Sequence, residues 1–401
     1  MRNQGCTVSP RTPTRRTQPR LMSVAALLGL LCSAVTQPRV AHAQQVQQPT
    51  GPGNVLVHSK FGGQIFGFDI DQNGTEGVLS EAKTLSNGNN LVAVETFDQQ
   101  TGKILKVVTK QNNTQDDWVT MGVVGNGAGL VLHEHEVSFL HIKRTFHVLD
   151  PLDFNKFTGV WTPPIDSGHL IRGVSRNQGN ATNAFFAYDN SGSFIPFVFA
   201  SNVAANTFGP VAKITDPNFS FGVPPVIAMN TTTNQAVLAQ DFGSPTSVPE
   251  IGLVDLTKGK FSKFNGVGLG FVNGIAVDSA DGIACTATEI DFSVEFYDLK
   301  KHTGFSEILP GATNQTQSGS DIEFDPVHKL FLVAQEVSST GSGSSIQVYD
   351  IRGNLVESLN GFNFSNRFNV IGTHIALKPS NRSGFVDGPD SGVTDIQSFT
   401  Y

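Results

Sequence analysis

One pattern occurs twice between Phe271 and Gly361, and no other feature restricts the fold of this chain as much. The first copy reads Asn273-Gly-Ile-Ala-Val-Asp-Ser-Ala-Asp-Gly-Ile-Ala-Cys-Thr-Ala-Thr-Glu289 and resumes at Ser293-Val-Glu-Phe-Tyr-Asp-Leu299. The second reads Asp321-Ile-Glu-Phe-Asp-Pro-Val-His-Lys-Leu-Phe-Leu-Val-Ala-Gln-Glu336 and resumes at Ser345-Ile-Gln-Val-Tyr-Asp-Ile351. Ile275 and Ile322 are 47 residues apart, as are Glu289 and Glu336. A period near 50 with two-residue alternation on both sides of a polar turn describes strand, turn, strand, loop, strand ending in Tyr-Asp, turn, strand. Four antiparallel strands per repeat make a propeller blade, so the expected fold is an all-β propeller.

The first 43 residues do not belong to that fold. They hold six of the 27 basic residues and none of the 34 acids, an apolar run from Leu21 to Val35, and a small-x-small site at Ala41-His-Ala43. This reads as a secretory signal peptide over 1–43, too short in its apolar part to span a bilayer. Residues 44–52 read as a flexible lead-in and 53–401 as one propeller domain. Without the leader the chain is at net charge −13, which disfavours nucleic acid and anionic lipid as partners. Cys6 and Cys32 lie in the leader, so Cys285 stands alone and no internal disulfide is expected. The protein is thus expected to be exported, periplasmic or extracellular, and a monomer with no membrane span.

Strand signals follow in order: Asn54–Val57, Gln64–Ile70, Gly77–Leu79, then a hairpin of Leu91–Asp98 and Lys103–Thr109. Trp118–Val124 and Leu130–Glu134 flank a glycine-rich turn, and further blades are visible at Ile171–Asp189 and Val226–Asp241. The last strands are Thr373–Leu377, Gly384–Asp387 and Thr394–Tyr401, a blade with three strands and no fourth. An N-terminal strand would complete it and close the ring. About 350 residues at about 50 per repeat predicts seven blades, with six or eight as alternatives because 60–117 phases poorly.

An acid ends the second strand in six repeats: Glu134, Asp189, Asp241, Glu289, Glu336 and Asp387. They form either an acidic mouth for a cationic ligand or a structural set bonding to neighbouring backbone N–H groups. Recurrence in blade after blade points to the structural role, since a binding site is normally asymmetric.

The run from Asn273 to Asp298 resembles the NHL and YVTN class of extracytoplasmic propeller repeats and is distantly similar to the regucalcin/gluconolactonase family of metal-dependent lactonases. That lactonase resemblance implies a central divalent metal, calcium by its oxygen ligands, held by Glu, Asn, Asn and Asp, with the Asp also serving as catalytic base. Asn273 matches one ligand, and Asp321 matches the ligand and base; the other two have no counterpart. The competing reading makes both residues ordinary turn chemistry.

His133-Glu-His135-Glu136 is a second candidate, because alternation puts both imidazoles on one strand face and His-x-His can hold zinc or copper given a third ligand. No third ligand is assignable from sequence, which leaves a solvated blade edge as the other reading. There is no phosphate loop, Gly-x-Ser-x-Gly elbow or Cys-x-x-Cys-His haem attachment. The function expected is a non-catalytic scaffold for a small molecule or an extracytoplasmic protein. A calcium-dependent hydrolase of the lactonase type is the alternative.

Overall fold

The computed structural model describes residues 50–401 apart from 114, 125–126, 139–140, 151–152, 162–168, 176–181, 190–195, 203–206, 217–225, 240–249, 269–271, 289–292, 312–316, 338–343, 363–374 and 388–394. Within it, 28 strands form seven four-stranded antiparallel sheets. Strand β1 (Gly51–His58) comes first. Blade 1 follows as β2 (Gln64–Ile70), β3 (Glu76–Thr84), β4 (Asn90–Asp98) and β5 (Ile104–Asn113). Blade 2 is β6 (Asp116–Val124), β7 (Ala128–Ser138), β8 (His141–Asp150) and β9 (Asp153–Trp161). Blade 3 is β10 (His169–Val174), β11 (Thr182–Asp189), β12 (Pro196–Asn202) and β13 (Thr207–Lys213). Blade 4 is β14 (Val226–Asn230), β15 (Gln235–Ala239), β16 (Glu250–Asp255) and β17 (Lys260–Asn265). Blade 5 is β18 (Val272–Asp278), β19 (Ile283–Thr288), β20 (Ser293–Asp298) and β21 (Thr303–Ile308). Blade 6 is β22 (Gln317–Asp325), β23 (Leu330–Val337), β24 (Ser344–Asp350) and β25 (Leu355–Phe362). Blade 7 is β26 (Ile375–Lys378), β27 (Ser383–Asp387) and β28 (Asp395–Thr400), completed by β1. The stretch 60–117, whose phase the sequence leaves open, is blade 1 with its flanks.

The ring closes where the unpaired last strand predicts. Val57 pairs with Ile396 and His58 with Asp395, and the Val55 N–H donates to Ser398 Oγ at 3.1 Å. The final residue is also tied down. Tyr401 is 3% exposed, and its hydroxyl donates to Asp325 Oδ2 of blade 6 at 2.8 Å.

The apolar core lies between blades, because each sheet presents alternate residues to the neighbour on either side. Between blades 5 and 6, Phe296 meets Phe331 edge-on at 5.9 Å and Tyr349 at 5.8 Å, with Cys285 beside them. Between blades 7 and 1, Phe385 meets Phe97 at 5.7 Å, packed with Val57, Leu79 and Ile396. The abundance of Phe over Tyr and Trp fits these seams, where a ring must pack on both sides without a polar atom to satisfy.

Candidate functional site

The two ends of the ring are built differently. At one end, first-to-second and third-to-fourth strand turns are closed by their own aspartates. Asp278 Oδ1 accepts the Ala280 N–H at 3.0 Å, Asp325 Oδ1 accepts Val327 at 2.8 Å, and Asp298 Oδ1 accepts Lys300 and Lys301 at 3.0 and 2.9 Å. Asp98, Asp255 and Asp350 repeat the device. A side-chain carboxylate mimics a backbone acceptor here, which fixes the turn locally. Hydrogen bonds from Thr101 and Lys301 hold the Asp98 and Asp298 carboxyls below the usual range. The opposite end receives the connections between second and third strands and from each blade to the next.

Asn273 and Asp321 lie on the inner strands of adjacent blades. In β18 the pairing slips between Val272 and Gly274, making Asn273 the extra residue of a bulge; in β22 it slips between Gly319 and Asp321, making Ser320 the extra one. Asp321 therefore stands in the register of Gly274, not of Asn273. A Cβ on Gly274 would lie 2.9 Å from the Asp321 Cα, so glycine is what lets these strands meet. Asp321 is 8% exposed; Oδ1 accepts the N–H of Ile322 at 2.9 Å and Oδ2 accepts that of Ile375, on the inner strand of blade 7, at 3.3 Å. Asp69 makes the same bridge from blade 1 to the Val123 N–H of blade 2, at 2.7 Å. Both Asp321 oxygens thus hold backbone, and a calcium ion there would have to share them.

His133 and His135 do acquire a common partner. Asp116, 17 and 19 residues earlier and 6% exposed, places Oδ1 2.7 Å from His133 Nε2 and 2.8 Å from His135 Nδ1. A carboxylate only accepts, so both nitrogens carry hydrogen there, and neither of these two atoms is free for a metal. Trp118 stacks on His133 with centroids 4.1 Å apart and donates its indole N–H to Gln111 of blade 1 at 2.7 Å. Asn113 donates to Asp116 Oδ2 at 2.6 Å. Burial opposes ionisation of Asp116, but hydrogen bonds from His133, Asn113 and His135 outweigh it and hold the carboxyl low. Burial and the neighbouring His133 push His147 down to about 4. Among the described residues, no three His, Cys, Asp or Glu side chains are arranged to hold a metal ion.

Of the strand-end acids, Asp241 and Glu289 lie outside the described residues, as do the side chains of Asp189, Glu336 and Asp387. Glu134 is half-buried and pairs across strands with Asp117 and Arg144. Measured from the residue facing the bulge, Glu336 lies two positions beyond Ala334, whereas Glu134 lies four beyond Leu130. These two acids sit at different levels of their blades.

A different polar set recurs on the third strands of the blades. Three residues before the aspartate ending the third strand stand Glu95, His147, Glu295 and Gln347, in blades 1, 2, 5 and 6. Glu95 and Glu295 are 0% exposed. Glu295 Oε2 accepts the hydroxyls of Thr286 at 2.8 Å and Tyr297 at 2.6 Å; burial and the Glu295 charge push the Tyr297 phenol far up. Gln347 Nε2 donates to Gln335 and Ser345, both at 2.8 Å. Glu95 Oε2 accepts the Lys60 N–H at 2.9 Å, while burial, with the neighbouring Glu81, pushes its carboxyl up to about 7. The signal was in the repeat itself, in Val-Glu-Phe-Tyr-Asp and Ile-Gln-Val-Tyr-Asp, but a strand alone does not say that both its faces are covered.

No protein-family profile matches the sequence, and no curated protein is significantly similar to it. Solved structures are similar in shape. A structure of U3-55K aligns with a TM-score of 0.57 at 12% identity, over 88% of this chain and all of its own. A crystal structure of RRP9 WD40 repeats gives 0.55 at 11% identity, over 88% of this chain and 99% of its own. Nothing in these comparisons singles out the NHL, YVTN or lactonase groups. At such identities the likeness is one of architecture, and the chain shares the seven-bladed propeller fold of WD40-repeat proteins.

Proposed function

We propose that the protein is an exported interaction scaffold that engages an extracytoplasmic protein or a small molecule through the loop end of its ring. The observation that supports this most is the contrast between the two ends. One is a set of turns whose polar groups are already spent on themselves; the other receives connections such as 59–63 and 85–89 on a rigid frame, where binding residues are usually carried. Photo-crosslinking residues at Asn87, in the loop between β3 and β4, and at Lys258, in a closed turn, test it in the exporting cell. Discrete adducts from position 87 and not 258 are expected; equal labelling of both, or none, would overturn the reading. Export itself predicts a mature chain beginning at Gln44, which intact mass determines.

The hydrolase reading rests on Asn273, since a bulge on an inner strand is a common device for aiming a side chain. One equivalent of tightly bound calcium, with lactone hydrolysis lost in Asp321→Ala, would replace the scaffold by the enzyme.

A further inference from the structure

The seam between blade 7 and blade 1 contains two fully buried acids, Glu81 on β3 and Glu95 on β4. Alternation puts Glu81 on the face of Leu79 and Glu95 on that of Phe97, the face packed against Val57, Phe385 and Ile396 of blade 7. The connection 59–63, which leads from the closing strand β1 into blade 1 at the loop end, rides on these carboxyls. Glu81 Oε1 accepts the Phe61 N–H at 3.0 Å and Oε2 the Gly63 N–H at 2.7 Å, while Glu95 Oε2 accepts Lys60 at 2.9 Å. Glu95 Oε1 is buried with no donor. Gly63 is needed for this approach, since a Cβ there would lie 2.8 Å from Glu81 Oε2.

Backbone donors occupy three of the four oxygens, the reverse of a cation cage, which presents oxygens to one point. Glu95 and Glu81 take the N–H groups of adjacent residues, Lys60 and Phe61, so the carboxyls lie close in a dry seam; they bond to each other only if one keeps its proton, and the Glu81 charge disfavours that of Glu95. The cations nearby are Lys60, exposed on the connection itself, Lys83, whose Nζ donates to the Phe61 carbonyl at 3.0 Å, and Lys110 of β5, 4.3 Å over the Phe61 ring. From blade 7, the His58–Asp395 pair at 2.7 Å stands at the same end.

We propose that Glu81 and Glu95 form a proton-held clasp, which keeps connection 59–63 shut against the closure seam while one proton is shared and loosens it once both carboxyls ionise. The loop end beside the seam then exists in a closed and an open form whose ratio follows proton concentration. The neutral carboxyl is that of Glu95, because its second oxygen lacks a backbone donor and burial raises its proton affinity to the neutral range.

The test uses the mature chain and two readouts. Trypsin cleavage after Lys60, normalised to cleavage after Lys258, should rise about tenfold between pH 6 and pH 8.5, because local opening governs access. Glu95→Gln keeps an acceptor for Lys60 and a donor for Glu81, so it should stay resistant and lose the pH dependence. A flat wild-type ratio, or a Glu95→Gln ratio with the wild-type slope, would overturn the proposal. Carboxyl 13C titration of the unmodified chain needs no variant: one of the two groups should hold a proton at pH 6 and release it near neutrality, and two ordinary acidic titrations would sink the idea.

Discussion

Blade 5 and the junction of blades 7 and 1 solve one problem in two ways. Both bury a carboxylate at the same place in a third strand, Glu295 in one and Glu95 in the other. In blade 5 all four strands are consecutive, and Glu295 is answered by side-chain hydroxyls of Thr286 and Tyr297 from its own sheet. At the junction, Glu95 and Glu81 are answered by backbone of a connection arriving from β1, a strand held in blade 7 by its pairing with the other end of the chain. A self-contained blade holds its polar group whatever the ring does. The stitched one holds it only while the ring is closed and a proton is present, so cohesion is distributed unevenly around a nearly regular fold.

The largest effect expected is from cutting the stitch. Deleting residues 394–401 removes β28, leaves β1 without a partner and β27 with β26 alone, and frees Asp325 from Tyr401, so calorimetry should show loss of the single cooperative transition. A truncated chain melting like the intact one would erase the contrast. Next comes the pH response. The carboxyl of Glu95 is raised to about 7 from 4.5, so the fold favours its neutral form: that contribution is fully present below about 4.5 and is lost as pH rises through 7, about 3 kcal/mol in all. His147 works oppositely. Lowered to about 4 by burial, it contributes stability above 6.5 that is lost as pH falls toward 4. The two slopes offset each other in the intact protein, and Glu95→Gln should expose the His147 slope in urea melts at pH 4.5 and 6.5.

Smaller is Tyr297→Phe, which withdraws a hydroxyl from buried Glu295 and should cost about 1.5–3 kcal/mol without touching the closure seam. Protection of connection 59–63 should be unchanged in that variant; if it falls, the two regions are coupled and the comparison fails. Smallest is Asp298→Ala, in an exposed turn that keeps its backbone bonds, at about 0.5–1 kcal/mol in denaturant unfolding.

The architecture was readable because alternation and the Tyr-Asp turns are local signals: Asp298 and Asp350 bond within three or four residues of themselves. Ring closure was readable from one missing strand, since a four-stranded blade counts its own parts. The polar seams were not, because they join residues that only packing brings together. Nothing near Asp116 in the chain marks it until the fold brings it to His133 and His135, 17 and 19 residues on, and nothing near Glu81 marks it as the buried acceptor of the Phe61 and Gly63 N–H groups. The pair Asn273 and Asp321 shows the same limit at finer scale. They look like equivalent openings of two repeats, yet they are 48 residues apart where the repeat is 47, so Asn273 matches the bulged Ser320 and Asp321 matches Gly274.

Cys285 offers a way to watch all this. It is buried between blades 5 and 6, and burial holds its thiol far up, so it should ignore a maleimide while that seam is intact. In a chain starting at Gln44 it is the single sulfhydryl. Its labelling rate would therefore act as a clock for opening at a seam two blades removed from the stitch, with no label engineered in. Trypsin at Lys60 times the stitch itself. Run together in one tube, the two clocks report whether the ring breathes at its seam or comes apart as a whole.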